Sequence, residues 1–418
     1  MIIQRKVLLL IVMVSLMGAG ASPSPRQGQM TRNPLLPDWV RPGLRLTYDL
    51  LTGGVNRSAD ELRWNEDTKS WEPANVDRGY VTRGKDYAIY EGEYSSHGLV
   101  QATVAGLDGQ VVALSQPFYL LSPTGRQPIL MPGANQDMLV TADTGGDFWM
   151  HPQKQAQMLR LYAAAGGQIV ARTTTWVEGP QSYTATTMLS QSPSGKTLYV
   201  YDQASGRLLY LSRLTREPPD LQQNRIHDPS SPLKRRPVSY ATFMRFVAAR
   251  QMNLPWMDSP MPDWSRQAQA FSYAGRQGTQ APGVNTSQAL MQELRVERRG
   301  GNWTLFQAFS QAQWQMATGP GAKVVTGPGL LSPLIIPPAG LALLQPGQEI
   351  DRDPLTGFVA RVAAADQQTV TLQIDGPDRS MMYVYSRAQG TLIRSVSRER
   401  GAGQNMVLTR EMQLTGQR

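Results

Sequence analysis

Histidine is the residue type best suited to acid–base catalysis and zinc binding at neutral pH. The chain contains three, His97, His151 and His227, which lie far apart in the sequence. They form neither a two-histidine pair at helical spacing nor a His-x-His pair on a strand, so the sequence predicts no zinc site. A serine–histidine–acid triad stays open, because its members need not be close in sequence, but the chain has no Gly-x-Ser-x-Gly elbow.

One short segment has the ending of a phosphate-binding loop, Ser194-Gly195-Lys196-Thr197. Such a loop also needs a glycine at the position that Ser190 occupies, and it opens a helix whose N–H groups hold the phosphate. Here the segment leads into the apolar residues of a strand. We therefore predict a hairpin turn and no bound nucleotide.

A second segment, Asp351-Arg352-Asp353-Pro354-Leu355-Thr356-Gly357, places two carboxylates close together, and Glu349 is near enough to add a third. Calcium loops use alternating oxygen-bearing residues to supply six or more ligands, and Pro354 interrupts that spacing. The segment therefore predicts a turn in which aspartate caps the local backbone, with no metal and no cofactor.

The composition excludes several classes of site. The chain has no cysteine, so it has no disulfide, no thiolate zinc site and no cysteine nucleophile. This avoidance is typical of a bacterial envelope protein. The formal net charge of +9 is scattered, and Lys234-Arg235-Arg236 is its one tight cluster. A nucleic-acid-binding protein concentrates basic residues on one face, so we predict a solvated basic surface and no nucleic-acid partner.

The first 21 residues have the organisation of a signal peptide. Arg5 and Lys6 precede an apolar run from Val7 to Met17, which is shorter than the ~20 residues that cross a bilayer. Ala19-Gly20-Ala21 supplies the small residues of a cleavage site, so we expect cleavage near Ala21 and a periplasmic or secreted protein. An uncleaved membrane anchor is the alternative. No later segment is long and apolar enough to span a membrane.

Three pairs of matching motifs indicate an internal duplication. In chain order they are Pro37-Asp38-Trp39-Val40-Arg41 with Tyr48 against Pro262-Asp263-Trp264-Ser265-Arg266 with Tyr273, Leu120-Leu121-Ser122-Pro123 against Leu330-Leu331-Ser332-Pro333, and Tyr199-Val200-Tyr201 against Tyr383-Val384-Tyr385. Their common order predicts two homologous domains. No histidine belongs to these motifs, so any catalysis would be confined to one copy.

The repeated aromatic residues are the candidate ligand or partner surface. They are Trp39, Tyr48, Tyr199, Tyr201, Trp264, Tyr273, Tyr383 and Tyr385. Alternate residues of a strand share one face, so the tyrosines of each Tyr-Val-Tyr motif point the same way. They either build the core of the sheets or line a concave face that binds a lipid, glycan or peptide.

The fold class predicted is mainly β, with two tandem homologous antiparallel curved-sheet, half-barrel-like domains and one or two short helices. The domain boundaries are 1–21 for the signal peptide, 22–36 for an extended leader, 37–215 for copy 1, 216–260 for a proline-rich basic connector and 261–418 for copy 2. The Tyr-Val-Tyr hairpin with its Gly-x-Leu return, one per copy, is similar to the hairpins of bacterial envelope half-barrels of the lipoprotein-carrier type.

Three segments differ between the copies. Residues from Gln153 to Ala165 predict a helix in copy 1 that ends at Gly166-Gly167, and the shorter spacing from Pro333 to Tyr383 predicts that copy 2 has lost it. In the connector, Tyr240, Phe243, Met244 and Val247 follow helical spacing, so Ser239 to Gln251 predicts a short amphipathic helix that braces the sheets or lies on a membrane. The stretch from Leu330 to Leu344 predicts an ordered apolar loop or a partner surface.

These features predict a non-catalytic exported envelope protein that binds an envelope protein, a lipid or a glycan through its sheet surfaces. One alternative is a carrier that holds a lipid or other hydrophobic ligand in the concave face of a half-barrel, which requires an apolar cavity of roughly several hundred Å³. A secreted hydrolase is the third interpretation. It requires a histidine within hydrogen-bond reach of both a serine and a carboxylate.

Overall fold

The chain folds mainly into antiparallel β-strands that form two sheets in tandem. The computed structural model describes residues 35–66, 69–73, 82–83, 87–121, 129–130, 137–162, 168–217, 238–312, 322–400 and 406–418. The predicted signal peptide, most of the leader, His227 and the basic cluster 234–236 lie outside the described residues. Within the described ranges, no helix is long and apolar enough to cross a membrane.

The first sheet contains thirteen strands within the described residues. They are β1 (Leu44–Asn65), β2 (Ser70–Pro73), β3 (Thr82–Arg83), β4 (Tyr87–Asp108), β5 (Val111–Ser115), β6 (Phe118–Leu120), β7 (Ile129–Leu130), β8 (Met138–Thr141), β9 (Ile169–Glu178), β10 (Gln181–Ser192), β11 (Gly195–Asp202), β12 (Leu208–Glu217) and β13 (Val238–Gln251). Their main order across the sheet is β7-β6-β4-β1-β13-β12-β11-β10-β9, with β5 pairing with β4 and β8. Helix α1 (Pro152–Tyr162) lies between β8 and β9 in the chain and confirms the helix predicted there.

The second sheet contains ten strands within the same described ranges. They are β14 (Ala270–Ala281), β15 (Val284–Arg299), β16 (Thr304–Ala312), β17 (Ala322–Thr326), β18 (Glu349–Arg352), β19 (Val359–Ala365), β20 (Thr369–Asp375), β21 (Arg379–Ser386), β22 (Leu392–Arg400) and β23 (Val407–Gln417). Their order is β17-β16-β15-β14-β23-β22-β21-β20-β19-β18. A short 3₁₀ turn (Asp263–Arg266) precedes β14, and helix α2 (Pro338–Ala342) precedes β18.

The two sheets repeat one pattern of strand pairing and irregularity. The path β4-β1-β13-β12-β11-β10-β9 corresponds to β15-β14-β23-β22-β21-β20-β19. Register shifts fall at Thr47/Tyr48 and Ser272/Tyr273, and again at Val200/Tyr201 and Val384/Tyr385. Because a bulge adds a residue and bends a strand, matching bulges give the two sheets matching bends.

The helix predicted from Ser239 to Gln251 is wrong, because these residues belong to strand β13, which pairs with β1 and β12. Exposure alternates along the strand, with Met244 buried between the exposed Phe243 and Arg245. The strand carries apolar residues on both faces, and four of them happen to fall at helical spacing. The corresponding strand of the second sheet is β23.

A segment of the chain itself lies across one face of each sheet. Met150 N–H donates to Gly206 O at 2.8 Å, and Leu208 N–H donates to Phe148 O at 2.9 Å. The second sheet repeats this pairing with Ile336 N–H to Gly390 O and Leu392 N–H to Leu334 O, both at 2.9 Å. Trp149 and Ile335 occupy the middle of the two segments and are fully buried.

This pairing corrects the expectation that copy 2 has lost its helix. Phe148 corresponds to Leu334, so the helix that begins at Pro152 has a five-residue counterpart beginning at Pro338. The expectation is wrong because it counts the length of each copy from the Leu-Leu-Ser-Pro motif, which does not occupy equivalent places in the two sheets. Leu120 ends a strand that pairs with β4, whereas Leu330 follows β17, which pairs with β16.

The sequence predicts that the stretch from Leu330 to Leu344 is either an ordered apolar loop or a partner surface, and the structure shows an ordered, largely buried apolar segment. Ile335, Ile336, Leu341 and Leu344 are buried, whereas Leu343 is exposed. The four buried residues share a core with Trp256, which follows β13 in the chain and packs against Gly340. Burial of this stretch stabilises the second sheet and leaves little of it for a partner.

The two sheets meet at a buried ion pair within one compact unit, Arg32–Arg418. Asp353 is 2% exposed and accepts hydrogen bonds from Arg45 Nη1 at 2.9 Å and Gln101 Nε2 at 2.7 Å. Burial by itself raises the pKa of Asp353, but these two contacts and the N–H of Leu355 outweigh burial and leave the pKa below its ordinary value. The carboxylate of Asp351, two residues earlier, forms a bidentate ion pair with Arg250 of β13.

Apolar contacts surround these ion pairs. Tyr119 of β6 lies 5.9 Å from the ring of Phe358, and both belong to a cluster with Leu99 and Ile374. Gly106 has no side chain because Trp303 of the second sheet occupies the space where a Cβ would stand. Of the turn predicted for residues 351–357, Asp351 and Arg352 belong to β18, and Asp353 caps the turn that follows by accepting the N–H groups of Leu355 and Gly357. The carboxylates of Asp351 and Asp353 join the two sheets.

A buried carboxyl group also lies at this junction. Asp137 Oδ2 accepts the N–H of Val325, in β17, at 2.7 Å. Burial raises the pKa of Asp137 to about 6, although hydrogen bonds from Val325, Ser115 and Gln116 partly oppose the shift. The group therefore titrates near pH 6.

We expect Asp353→Ala to destabilise the protein by ~3–5 kcal/mol, because the substitution leaves Arg45 buried without its partner. Urea unfolding followed by tryptophan fluorescence measures the change. Glu349→Ala, which removes an exposed partner of Arg352, is the control and should leave the unfolding midpoint unchanged. Equal midpoints for the Asp353→Ala protein and the wild type would contradict the assignment.

We also expect Asp137 to make stability depend on pH. The pKa of Asp137 in the folded protein lies above its ordinary value, so the protonated carboxyl group stabilises the fold fully below pH ~4. This stabilisation, ~3 kcal/mol in all, is lost as the pH rises through ~6. Asp137→Asn removes this titration. The difference in unfolding free energy between the two proteins should change over that range, and a constant difference would refute the raised pKa.

Candidate functional site

Four of the eight aromatic residues predicted to form a surface lie in the core. Tyr48, Tyr201, Tyr273 and Tyr385 are each less than 5% exposed. Tyr273 donates its hydroxyl hydrogen to Leu392 O at 2.9 Å, and Tyr385 donates to Pro333 O at 2.8 Å. These rings build the sheets and hold the covering segments in place, so a contact surface could include only the other four.

The two tryptophans are partly exposed and perform the same structural task in each sheet. Trp39 Nε1 donates to Ser205 O at 2.7 Å, and Trp264 Nε1 donates to Gln389 O at 3.1 Å. Both acceptors lie in the turn after a Tyr-Val-Tyr strand. Trp264 also lines an open cleft of about 570 Å³, together with Gln267, Gln389 and the last residues of β23.

Tyr199 and Tyr383 occupy corresponding positions but have different surroundings. Tyr199 donates to Asp147 Oδ1 at 3.0 Å, and Arg213 Nη2 contacts both Asp147 Oδ2 at 3.2 Å and the Tyr199 hydroxyl at 3.0 Å. Burial lowers the pKa of Arg213, but the charge of Asp147 outweighs it and raises the pKa above its ordinary value. In the first sheet the cation and the anion therefore satisfy one another.

The second sheet has two arginines on the face that carries Tyr383. Arg379 and Tyr383 alternate along β21, and Arg410 stands on β23, directly opposite Ser397 of β22. Arg379 donates through Nη2 to Glu399, and its side chain is only 12% exposed. Burial lowers the pKa of both guanidinium groups, and Tyr383 partly opposes the shift of each, while Arg410 adds a smaller lowering of the pKa of Arg379.

Arg410 has no carboxylate partner within the described residues. Its one described hydrogen bond runs from Nη2 to Gln292 Oε1 at 3.2 Å. Its Nε is buried without an acceptor, as is the Nε of Arg379. Both arginines are themselves only partly buried, but an N–H group that is buried without an acceptor costs ~1–3 kcal/mol. Arg207, Arg299 and Arg387 also have an Nε without an acceptor, but Arg379 and Arg410 stand together on one face of the second sheet.

We call this group the arginine cluster. Its members are Tyr119, Gln292, Arg379, Tyr383, Glu399 and Arg410. Tyr119 comes from the first sheet and interacts electrostatically with Arg379, so the cluster adjoins the junction between the sheets. Met381 lies between Arg379 and Tyr383 on the same face of β21 and provides an apolar neighbour. The arrangement can bind an anion through charge-assisted hydrogen bonds.

Sequence reasoning found Tyr383 but missed the arginines. Arg379 alternates with Met381, Tyr383 and Tyr385 on β21, and Arg410 alternates with Met412 on β23. A charged residue at a position that otherwise alternates with buried apolar residues was the available signal. It was hidden because arginine is frequent throughout the chain.

The two described histidines do not assemble a catalytic triad. His97 Nε2 lies 2.5 Å from Asp49 Oδ1, and His151 Nδ1 accepts the N–H of Gln153 at 3.2 Å. Within the described residues neither histidine hydrogen-bonds to a serine. The segment with the ending of a phosphate-binding loop is the tight connection between β10 and β11, as predicted.

The middle of the covered face of each sheet is occupied by side chains of the chain itself. Trp149 and Phe148 pack against Tyr48 and Leu208 in the first core. Ile336, Leu341 and Trp256 do the same in the second. A lipid in the middle of either face would have to displace these side chains. No group of three or more possible metal ligands occurs in the described part of the chain.

Comparison with known proteins assigns the chain to no family. No family model matches it, and no curated protein matches its sequence. Solved structures with distant similarity include the intact Ap-TbpB with N and C lobes (8% identity, 90% of this chain and 79% of that chain, TM-score 0.15). They also include a Transferrin Binding Protein B double mutant from Haemophilus parasuis Hp5 (6%, 91% and 78%, 0.15) and a candidate AttH from Nitrosomonas europaea (12%, 95% and 99%, 0.14). TM-scores this low do not establish a shared fold.

The contrast between the two sheets predicts opposite effects of matched substitutions. Arg213→Met strands the carboxylate of Asp147 and should destabilise the protein by ~1–3 kcal/mol. Arg410→Met removes a partly buried charge that has no carboxylate partner among the described residues, so the unfolding free energy should stay the same or rise by ~1 kcal/mol. Urea unfolding of the two variants beside the wild type tests both. A loss of stability in the Arg410→Met protein as large as in the Arg213→Met protein would show that Arg410 has a structural partner.

Proposed function

We propose that this protein is an exported, non-catalytic binding protein of the cell envelope, periplasmic or secreted, and that it binds a ligand or partner carrying an anionic group at the arginine cluster. Support for export comes from the basic and apolar N-terminal residues and the small residues that end at Ala21. The absence of cysteine agrees with an envelope protein that relies on burial for its stability.

The observation that carries the proposal is the unpaired Arg410. Arg410 is partly buried, has no carboxylate partner among the described residues and keeps N–H donors that an anion can fill. The first sheet shows that this fold can pair such a cation internally, since Asp147 holds Arg213. The second sheet has lost that carboxylate, because the residue that corresponds to Asp147, immediately before the covering segment, is Pro333.

The two locked sheets support the same proposal. A binding site is effective when its groups are held rigidly before the ligand arrives. Tyr119 reaches the cluster from the first sheet, while Arg379 and Arg410 come from the second. The ion pair between Arg45 and Asp353 joins the two sheets and so holds Tyr119 and the two arginines in fixed relative positions.

A carrier of hydrophobic ligands remains the second candidate, and one observation favours it. Met381, Leu121 and Leu331 lie at the edge of the apolar cluster that adjoins Tyr383. An amphiphile could place its acidic group at the arginines and its apolar part along this edge. Its chain would stay outside the cores that the covering segments fill.

The proposal is tested by recovering the full chain from the envelope fraction of a bacterial host. We expect an intact mass that begins at Ser22 and an anionic ligand, identified by mass spectrometry, that co-purifies with the wild type. Arg361→Met, which removes an exposed arginine of the same sheet, is the control and should keep the ligand. Arg410→Met should lose it. Retention of the same material by the Arg410→Met protein, or recovery of no anionic ligand from any protein, would contradict the proposal.

A further inference from the structure

The hydrogen-bonding capacity of the arginine cluster exceeds what the chain supplies. A guanidinium group has five N–H donors. The described residues provide one acceptor for Arg379, on Glu399, and one for Arg410, on Gln292. Arg379 on β21 and Arg410 on β23 stand on the same face of the sheet with only β22 between them, so an anion on this face can interact with both.

We propose that the arginine cluster binds a phosphate group, with Arg379 and Arg410 on its oxygens. This inference rests on the proposed function and names the chemistry of its ligand. One arginine fork matches the two oxygens of a carboxylate, whereas a phosphate presents enough terminal oxygens for two forks. Two arginines on one face therefore favour a phosphate over a carboxylate.

The first sheet contains an internal counterpart of the ligand. Asp147 accepts hydrogen bonds from both Arg213 and the hydroxyl of Tyr199. In the second sheet Tyr383 stands where Tyr199 does, Arg410 lies one strand away from the position of Arg213, and Pro333 replaces Asp147. The phosphate takes the role that Asp147 has in the first sheet, beside the tyrosine and the arginines.

Glu399 competes with the ligand for Arg379. Its carboxylate is directly paired with that guanidinium and is only 14% exposed, and Asp378 places a second carboxyl group beside Arg379. A phosphate on the remaining N–H groups of Arg379 lies beside the like charge of Glu399. The carboxylate of Glu399 therefore weakens phosphate binding and neutralises Arg379 when no ligand is present. Removing this carboxylate should strengthen binding if Arg379 binds phosphate, and should not if Arg379 has only a structural role.

The experiment is isothermal titration of the full exported chain with inorganic phosphate, with acetate and with soluble dihexanoylphosphatidylglycerol. We expect binding of phosphate, of the lipid or of both, weakened by at least ~10-fold in Arg410→Met and in Arg379→Met, because each loses charge-assisted hydrogen bonds. Glu399→Gln should bind ~3-fold more tightly or better, because a like charge is removed. Arg361→Met is the control for a general loss of positive charge, and circular dichroism confirms that each variant is folded.

Each outcome decides the inference. Binding of inorganic phosphate identifies a free phosphate or phosphomonoester as the source, and binding of the lipid alone identifies a headgroup, provided that Arg410→Met weakens it. Acetate binding as tight as phosphate binding overturns the inference, as does phosphate and lipid binding that Arg410→Met leaves unchanged or that cannot be detected. If the ligand that co-purifies through Arg410 contains no phosphorus, the proposed function stands and this inference falls.

Discussion

The buried carboxylate of Asp353 is the constraint on which the rest of the structure depends. It directly follows β18 of the second sheet, but its partners, Arg45 and Gln101, belong to adjacent strands of the first. A carboxylate so deeply buried is stable only while both partners are present, so the two sheets must keep one relative position. The aromatic contact of Tyr119 with Phe358 and the close fit of Trp303 on Gly106 form around that fixed point.

Within this frame, the two sheets resolve the same electrostatic problem in different ways. Each carries a tyrosine and arginine on its covered face. The first sheet supplies its own counterion, Asp147, so that its network is complete. The second sheet has Pro333 at the corresponding position and leaves Arg410 without a carboxylate among the described residues. On the proposed function, the first sheet keeps its network closed for stability while the second sheet is available for binding.

The sequence predicted the architecture well because strands have a simple periodicity. Motifs such as Tyr199-Val200-Tyr201 located both central hairpins, and Pro152 marked the start of α1. The same reasoning failed at β13, where apolar residues on both faces produced a helical spacing by chance. It also failed to find the arginine cluster, because Arg379, Arg410 and Tyr119 come from separate strands of two sheets. Only the strand register and the junction bring them together.

The central claim is that the second sheet holds an anion where the first sheet holds its own carboxylate. The most direct measurement is a crystal structure of the protein grown with tungstate, a heavy analogue of phosphate whose anomalous signal identifies it unambiguously. The account predicts an anomalous peak between the guanidinium groups of Arg379 and Arg410, and none beside Arg213. A peak-free cluster in which Arg410 contacts a carboxylate of the chain itself would contradict it.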